Sequence, residues 1–135
     1  MDKIVLGVLL VISLAHGLAS WFSWYYTIWW LDIPMHIAGG FWVALLFFYL
    51  FRDRTKGFLP SSGFLTTIFF SLGFVALVGV GWEFYEYLGE VFVVKAIPFG
   101  GSEAGLHFEI LKDLFDDLLG GFIATCLVYR LRKKE

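Results

Sequence analysis

Apolar residues fall into four long runs, about residues 4–24, 33–51, 63–88 and 110–131, parted by segments that collect Gly, Pro, charged and interfacial aromatic residues. Each run supplies the roughly 20 residues that a helix needs to cross a hydrocarbon core. Phe41-Trp-Val-Ala-Leu-Leu-Phe-Phe48 has no polar interruption, whereas a transmembrane barrel strand alternates apolar and polar positions. Lipid offers no partner to a backbone amide, so a spanning segment must satisfy its own hydrogen bonds as a helix. The predicted fold is all-α: an integral membrane four-helix bundle, one domain over residues 1–135.

Basic residues orient it. Lys3, Arg52, Arg54, Lys56, Arg130, Arg132, Lys133 and Lys134 lie on one side, and Lys95 and Lys112 are the exceptions. The positive-inside rule then places both termini and the segment from Arg52 to Ser62 in the cytoplasm. Trp21, Trp24, Tyr25, Tyr26, Trp29 and Trp30 crowd the first outer connection, as an interfacial aromatic belt does. The second outer connection, about 89–109, contains Pro98 and Gly100-Gly101 and is expected to be an irregular loop over the outer mouth. Lys3 before a short apolar core, with Gly17-Leu-Ala19 after it, also fits a cleaved signal peptide; retention as the first span is the expectation. The expected location is a multi-pass position in the cell (plasma or inner) membrane.

Composition adds limits. With 59% hydrophobic and 16% charged residues, little chain is left for a separate soluble domain. A formal net charge of -2 provides no basic face for nucleic acid, so membrane lipid is the expected surrounding partner. The single cysteine, Cys126, makes neither an intramolecular disulfide nor a CxxC metal site. Gly39-Gly40 and Gly120-Gly121 lie inside apolar runs, where small residues let helices approach closely.

The chemistry-bearing residues stand at the outer ends of the runs. Asp32 and His36 are four residues apart, which on a helix puts them about 40° apart on one face. Glu83 and Glu86 share a stripe with Ala76, Gly79 and Glu90. Asp113, Asp116 and Asp117 align with Gly120, Gly121 and Ala124, while Leu114, Phe115, Leu118, Leu119 and Phe122 are expected to face lipid. Asp32 also suits a helix N-cap ahead of Pro34, and Asp113 and Asp116 suit the positive end of a helix dipole. Glu83 and Glu86 have no such account, because acids are disfavoured at a helix C-terminal end. His16 and His107 are as readily packing residues as ligands.

These are six carboxylates, and the expectation is that no Arg or Lys inside a span pairs with them. An ionised carboxylate at mid-helix costs about 2.5–3.5 kcal/mol on insertion scales, so a bound cation, protons on some acids or a water-filled cavity must compensate them. A divalent metal ion suits the set: Asp32, His36, Glu83, Glu86, Asp113 and Asp117 are the expected ligands. The grouping resembles di-metal carboxylate bundles, although the E-x-x-H motif of that class is absent.

The order Asp32-x3-His36, Trp82-Glu83-x2-Glu86, Asp113-x3-Asp117-x3-Gly121 resembles the pattern of small prokaryotic YjdF-like membrane proteins over about residues 32–121. It is similar, more distantly, to the VanZ-like family, which carries a glutamine where this chain has Glu86. The resemblance implies a shared polar site on these residues and supplies no reaction.

Two function classes follow. In a metal-dependent enzyme acting on a lipid-linked or envelope substrate, Glu83 or Glu86 is the general base. In a cation or proton transporter or channel subunit, the same acids take up the ion from outside. The cytoplasmic halves read as almost purely apolar, so a through-path calls for another subunit or a homo-oligomer. A structural accessory role for a protonated network is the third class.

Overall fold

The structure, a computed structural model, describes residues 2–54, 63–89, 91–92 and 103–132. Its elements are α1 (Asp2–Trp21), α2 (Trp24–Thr27), α3 (Asp32–Phe48) running on into a π-helical tail (Tyr49–Arg54), α4 (Phe64–Gly89) and α5 (Glu103–Arg132). Among the described residues there is no strand.

Between α1 and α3 the chain turns within a few residues. Ser23 takes the left-handed conformation at φ 57°, which α2 follows as a single turn. The Ile28 N–H then donates to Trp24 O at 2.8 Å and the Leu31 N–H to Ile28 O at 3.0 Å, which winds the chain into α3. Pro34 falls in the first turn of α3, where a missing N–H breaks no helical hydrogen bond.

The helix pair α3 and α5 forms the centre, α4 packs against both, and α1 leans chiefly on α3. Glycines set the closeness of the central pair. A Cβ on Gly40 would land on the backbone carbonyl of Asp117, and one on Gly120 would land on that of Ile37. The two backbones therefore touch, as small residues permit in lipid. Below this crossing Ala44, Phe47, Phe48, Val75, Ala124 and Val128 make the apolar core. Trp42 Nε1 ties α1 to α3 by donating to Val5 O at 2.8 Å.

Large apolar side chains such as Leu14, Leu65, Phe69, Leu77 and Phe115 stand outside. Three described helical segments are long and apolar enough to cross a membrane: Lys3–Trp21, Asp32–Phe51 and Phe64–Gly89. The fourth expected span differs. With 30 residues α5 has the length, about 45 Å at 1.5 Å per residue, but Glu109, Lys112, Asp113, Asp116 and Asp117 keep its first half from being apolar.

Three details depart from the sequence expectations. Residues 103–109, expected in a loop, are the first turns of α5; Gly105 does not break a helix that an acid, Glu103, opens at its favourable end. Buried hydroxyls also reach into the apolar half: Ser71 Oγ lies 2.8 Å from Thr125 Oγ1, and Thr125 donates to Gly121 O at 2.7 Å. Leu118, expected toward lipid, packs against the core. The basic segment after Arg54, the Lys95 to Gly101 stretch, Glu90 and Lys133-Lys134 lie outside the described residues.

Candidate cation site

Asp32 is the first residue of α3, behind an N-cap Leu31 whose side chain caps nothing. Its carboxylate serves other partners than the helix end. Lys112 Nζ donates to Asp32 Oδ2 at 3.1 Å, and Asp32 Oδ1 lies 3.5 Å from His36 Nε2. One turn on, His36 is buried and sits among aspartates of α5: Nε2 is 3.8 Å from Asp113 Oδ1 and Nδ1 is 3.4 Å from Asp117 Oδ1. These separations exceed the usual hydrogen-bond range of about 2.7–3.2 Å. The imidazole is ringed by carboxylates without being tightly bonded to any.

Lys112, in the expected fourth span, corrects the expectation that no Arg or Lys pairs with the acids. Its ammonium lies 2.9 Å from Glu109 Oε2, 3.0 Å from Asp113 Oδ1 and 3.1 Å from Asp32 Oδ2. The contact with Asp113 is an ion pair without hydrogen-bond alignment. Away from Lys112 compensation is thinner. Both oxygens of Glu83 and Oδ2 of Asp116 are buried with no hydrogen-bond partner among the described residues, and the Glu83 residue is only 7% exposed.

Glycine on α4 makes the room for this arrangement. A Cβ at Gly79 would lie 2.6 Å from Asp117 Oδ2, so the glycine leaves room for the Asp117 carboxylate in the position it occupies. At Gly39 the nearest atom, Asp117 Oδ1, would be 3.8 Å from such a Cβ, an ordinary contact.

Two donor groups result, and both use His36. Asp32, His36 and Asp113 form one; His36, Glu83 and Glu86 form the other; in each, one ligand atom per residue lies within 4.8 Å of the rest. The ammonium of Lys112 already stands against two members of the first group. Of the residues expected from sequence, Asp32, His36, Glu83, Glu86, Asp113 and Asp117 are thus brought to one end of the bundle. His107 is exposed and belongs to neither group.

Beside the second group a cavity of about 220 Å³ lies between α1 and α4 on the face of α3, with His16, Tyr25, His36, Trp82, Glu86 and Asp117 in its wall. His16 Nδ1 and the Tyr25 hydroxyl are 2.8 Å apart, and the His16 ring meets the edge of Trp82 at 5.7 Å. Burial, aided by the negative charges of Asp32 and Glu86, pushes the Tyr25 phenol up to about 12. Sequence reasoning placed Tyr25 in the interfacial belt and missed this contact; the nine-residue separation from His16 has no periodicity to betray it.

An apolar, all-helical chain with a buried cluster of acids and histidine defines a helical membrane protein with a polar interior site. The chain belongs to the family described as Predicted membrane protein (DUF2238), whose model matches residues 1–134. No curated protein and no solved structure matches it.

Proposed function

We propose that this is a multi-pass cell-membrane protein that binds a divalent cation through His36, Glu83 and Glu86, with Asp117 alongside. One observation carries the reading: Glu83 presents two buried carboxylate oxygens, unpartnered among the described residues, to a group of ligand atoms within 4.8 Å of one another. A buried ionised acid is costly unless a charge meets it, and Lys112 is engaged on the far side of His36. Carboxylates with one imidazole suit manganese, iron or zinc.

In this proposal α5 crosses as the fourth span, both termini are cytoplasmic and the site opens to the extracytoplasmic side. Metal-activated attack of water on a lipid-linked or envelope substrate is the first use of such an ion, with one of Glu83 and Glu86 free to act as base. Cation passage is a second reading, supported by the buried Ser71–Thr125 pair, which continues the α4 and α5 interface past Gly121. The YjdF-like resemblance agrees with either and adds no reaction; nothing further supports the VanZ-like one.

Elemental analysis of purified protein, with thermal unfolding before and after EDTA, tests the reading. Bound metal and a lower melting temperature in EDTA are expected, because removing the ion leaves carboxylates to repel one another. Glu83→Gln should lower metal content and shrink the EDTA effect, the two perturbations acting on one site. Metal-free protein that added manganese or zinc does not stabilise overturns it.

A further inference from the structure

The cavity beside the acids is bounded by helices along its sides and by a tyrosine at the end where the chain crosses from α1 to α3. Among the described residues in its wall, Tyr25 alone comes from that connection; the others belong to α1, α3, α4 and α5. The Tyr25 hydroxyl reaches back to His16 Nδ1 at 2.8 Å, and the His16 ring in turn meets Trp82 of α4. Besides its burial, the phenol feels the negative charges of Asp32 and Glu86, which sets it beside the acids. His36 and Glu86 of the second donor group line the same cavity. Hydrocarbon does not deliver an ion, because a charge is costly there. The polar route to His36 and Glu86 therefore runs past Tyr25 and His16.

The segment that carries Tyr25 is weakly held. α2 is one turn with no buried residue, and Trp24, Tyr26, Trp29 and Trp30 around Tyr25 are exposed. Ser23, just ahead of it, holds φ 57°, a left-handed conformation disfavoured for a residue with a Cβ. The Tyr26 N–H, the Ile28 N–H and the Thr27 hydroxyl all donate within the connection itself. Segments with few buried contacts open at the low end of the free-energy scale, and lids are drawn from them. The Tyr25–His16 bond is the tie across this turn.

We infer that α2 is a lid on the cavity, latched by Tyr25 on His16, and that its opening admits water and cations to His36 and Glu86. The nature of what enters rests on the cation-site reading; the lid itself does not.

The test reads access in two ways, on protein in lipid nanodiscs. Val43→Cys, and separately Ile12→Cys, each in a Cys126→Ala background, put a thiol in the cavity wall, and its rate of modification by a cationic methanethiosulfonate reports entry. Tyr25→Phe and His16→Phe keep a ring at each position and remove the hydrogen bond. Each should speed labelling about three- to tenfold, and the double variant should add little to either alone. Tyr26→Phe, at the exposed neighbour, should leave the rate unchanged. Without the added cysteines, manganese uptake by metal-free protein and its release to EDTA should both quicken by a similar factor at unchanged Kd, since a latch alters entry and exit together. A merely loosened fold would release metal faster without taking it up faster. Labelling that neither latch variant speeds, or weaker metal binding with uptake unchanged, overturns the lid. Faster labelling of protein that takes no metal would retain the lid and remove the cation reading alone.

Discussion

Two adjacent glycines on α3 should respond in opposite ways to the same added methyl group. At Gly40 the new Cβ meets the backbone carbonyl, carbon and Cα of Asp117. Backbone has no rotamer to turn aside, so α5 must move away from α3 along a crossing where the helices touch. Overpacking costs about 1–3 kcal/mol when side chains can yield, and this site belongs at or above the top of that range. Alanine returns about 0.5–1 kcal/mol through its better helix propensity. The net expectation for Gly40→Ala is a loss of about 2 kcal/mol or more, seen as a melting temperature lower by roughly 5 °C or more. At Gly39 the nearest atom stands 3.8 Å from the added carbon, so only the propensity gain applies, up to about 1 kcal/mol. Thermal unfolding in one detergent, with both variants beside the parent protein, gives the comparison. The displacement should also widen the gap between His36 and Asp117, so Gly40→Ala should bind metal more weakly than Gly39→Ala. Equal stability of the two variants would refute the close approach of α3 and α5.

Lys112→Met removes the ammonium shared by Asp32, Glu109 and Asp113 and should destabilise the fold by about 1–3 kcal/mol; combined with Asp32→Asn the losses should be less than additive, and strict additivity in the double-mutant cycle would count against the bridge. The Tyr25 phenol, raised to about 12, should ionise only in strongly alkaline solution in an ultraviolet titration. Its folded value lies above the unfolded one near 10, so its stability contribution is complete below about pH 10 and is lost as pH rises through about 12; Tyr25→Phe should flatten that alkaline loss. Reporter fusions after Glu135 and within the Arg52 to Ser62 segment should read cytoplasmic, and one near Gly101 external; an external C-terminus reverses the proposed orientation.

The helices were legible wherever lipid alone decides. Runs such as Phe41 to Phe48 name a buried helix by hydropathy, and the i, i+4 spacing of Asp32 and His36 placed both on the face that meets α5. The glycine pairs announced a close crossing, but not that Gly40 faces the Asp117 backbone, since one-dimensional spacing carries no partner. Lys112 was misread because the charge rule that orients helices counts a basic residue on the wrong side as an exception. Its neighbours Glu109 and Asp113, within one turn, were the available signal. The start of α5 was missed because Gly100-Gly101 and Pro98 argue for a loop and nothing local marks where that argument ends. Asp32 shows the converse: a good cap by type became a partner for Lys112 once the tertiary contact formed.

The charged first half of α5 has a consequence for how the protein is made. On insertion scales each Asp or Lys near a helix centre opposes entry by about 2.5–3.5 kcal/mol, less toward the ends, and α5 carries Lys112, Asp113, Asp116 and Asp117 in sequence. A translocon that samples this segment alone meets a helix that lipid does not favour. The three more apolar helices are synthesised before it, and they bring His36, the flat faces of Gly39 and Gly40, and the gap at Gly79 into the bilayer first. Under the proposed four-span topology, entry of α5 and assembly of the bundle are one event, in which the last helix is recruited by its partners. Variants at His36 or Gly40 would accordingly show their defect during biogenesis, as chains whose final segment fails to integrate and is handed to quality-control proteolysis.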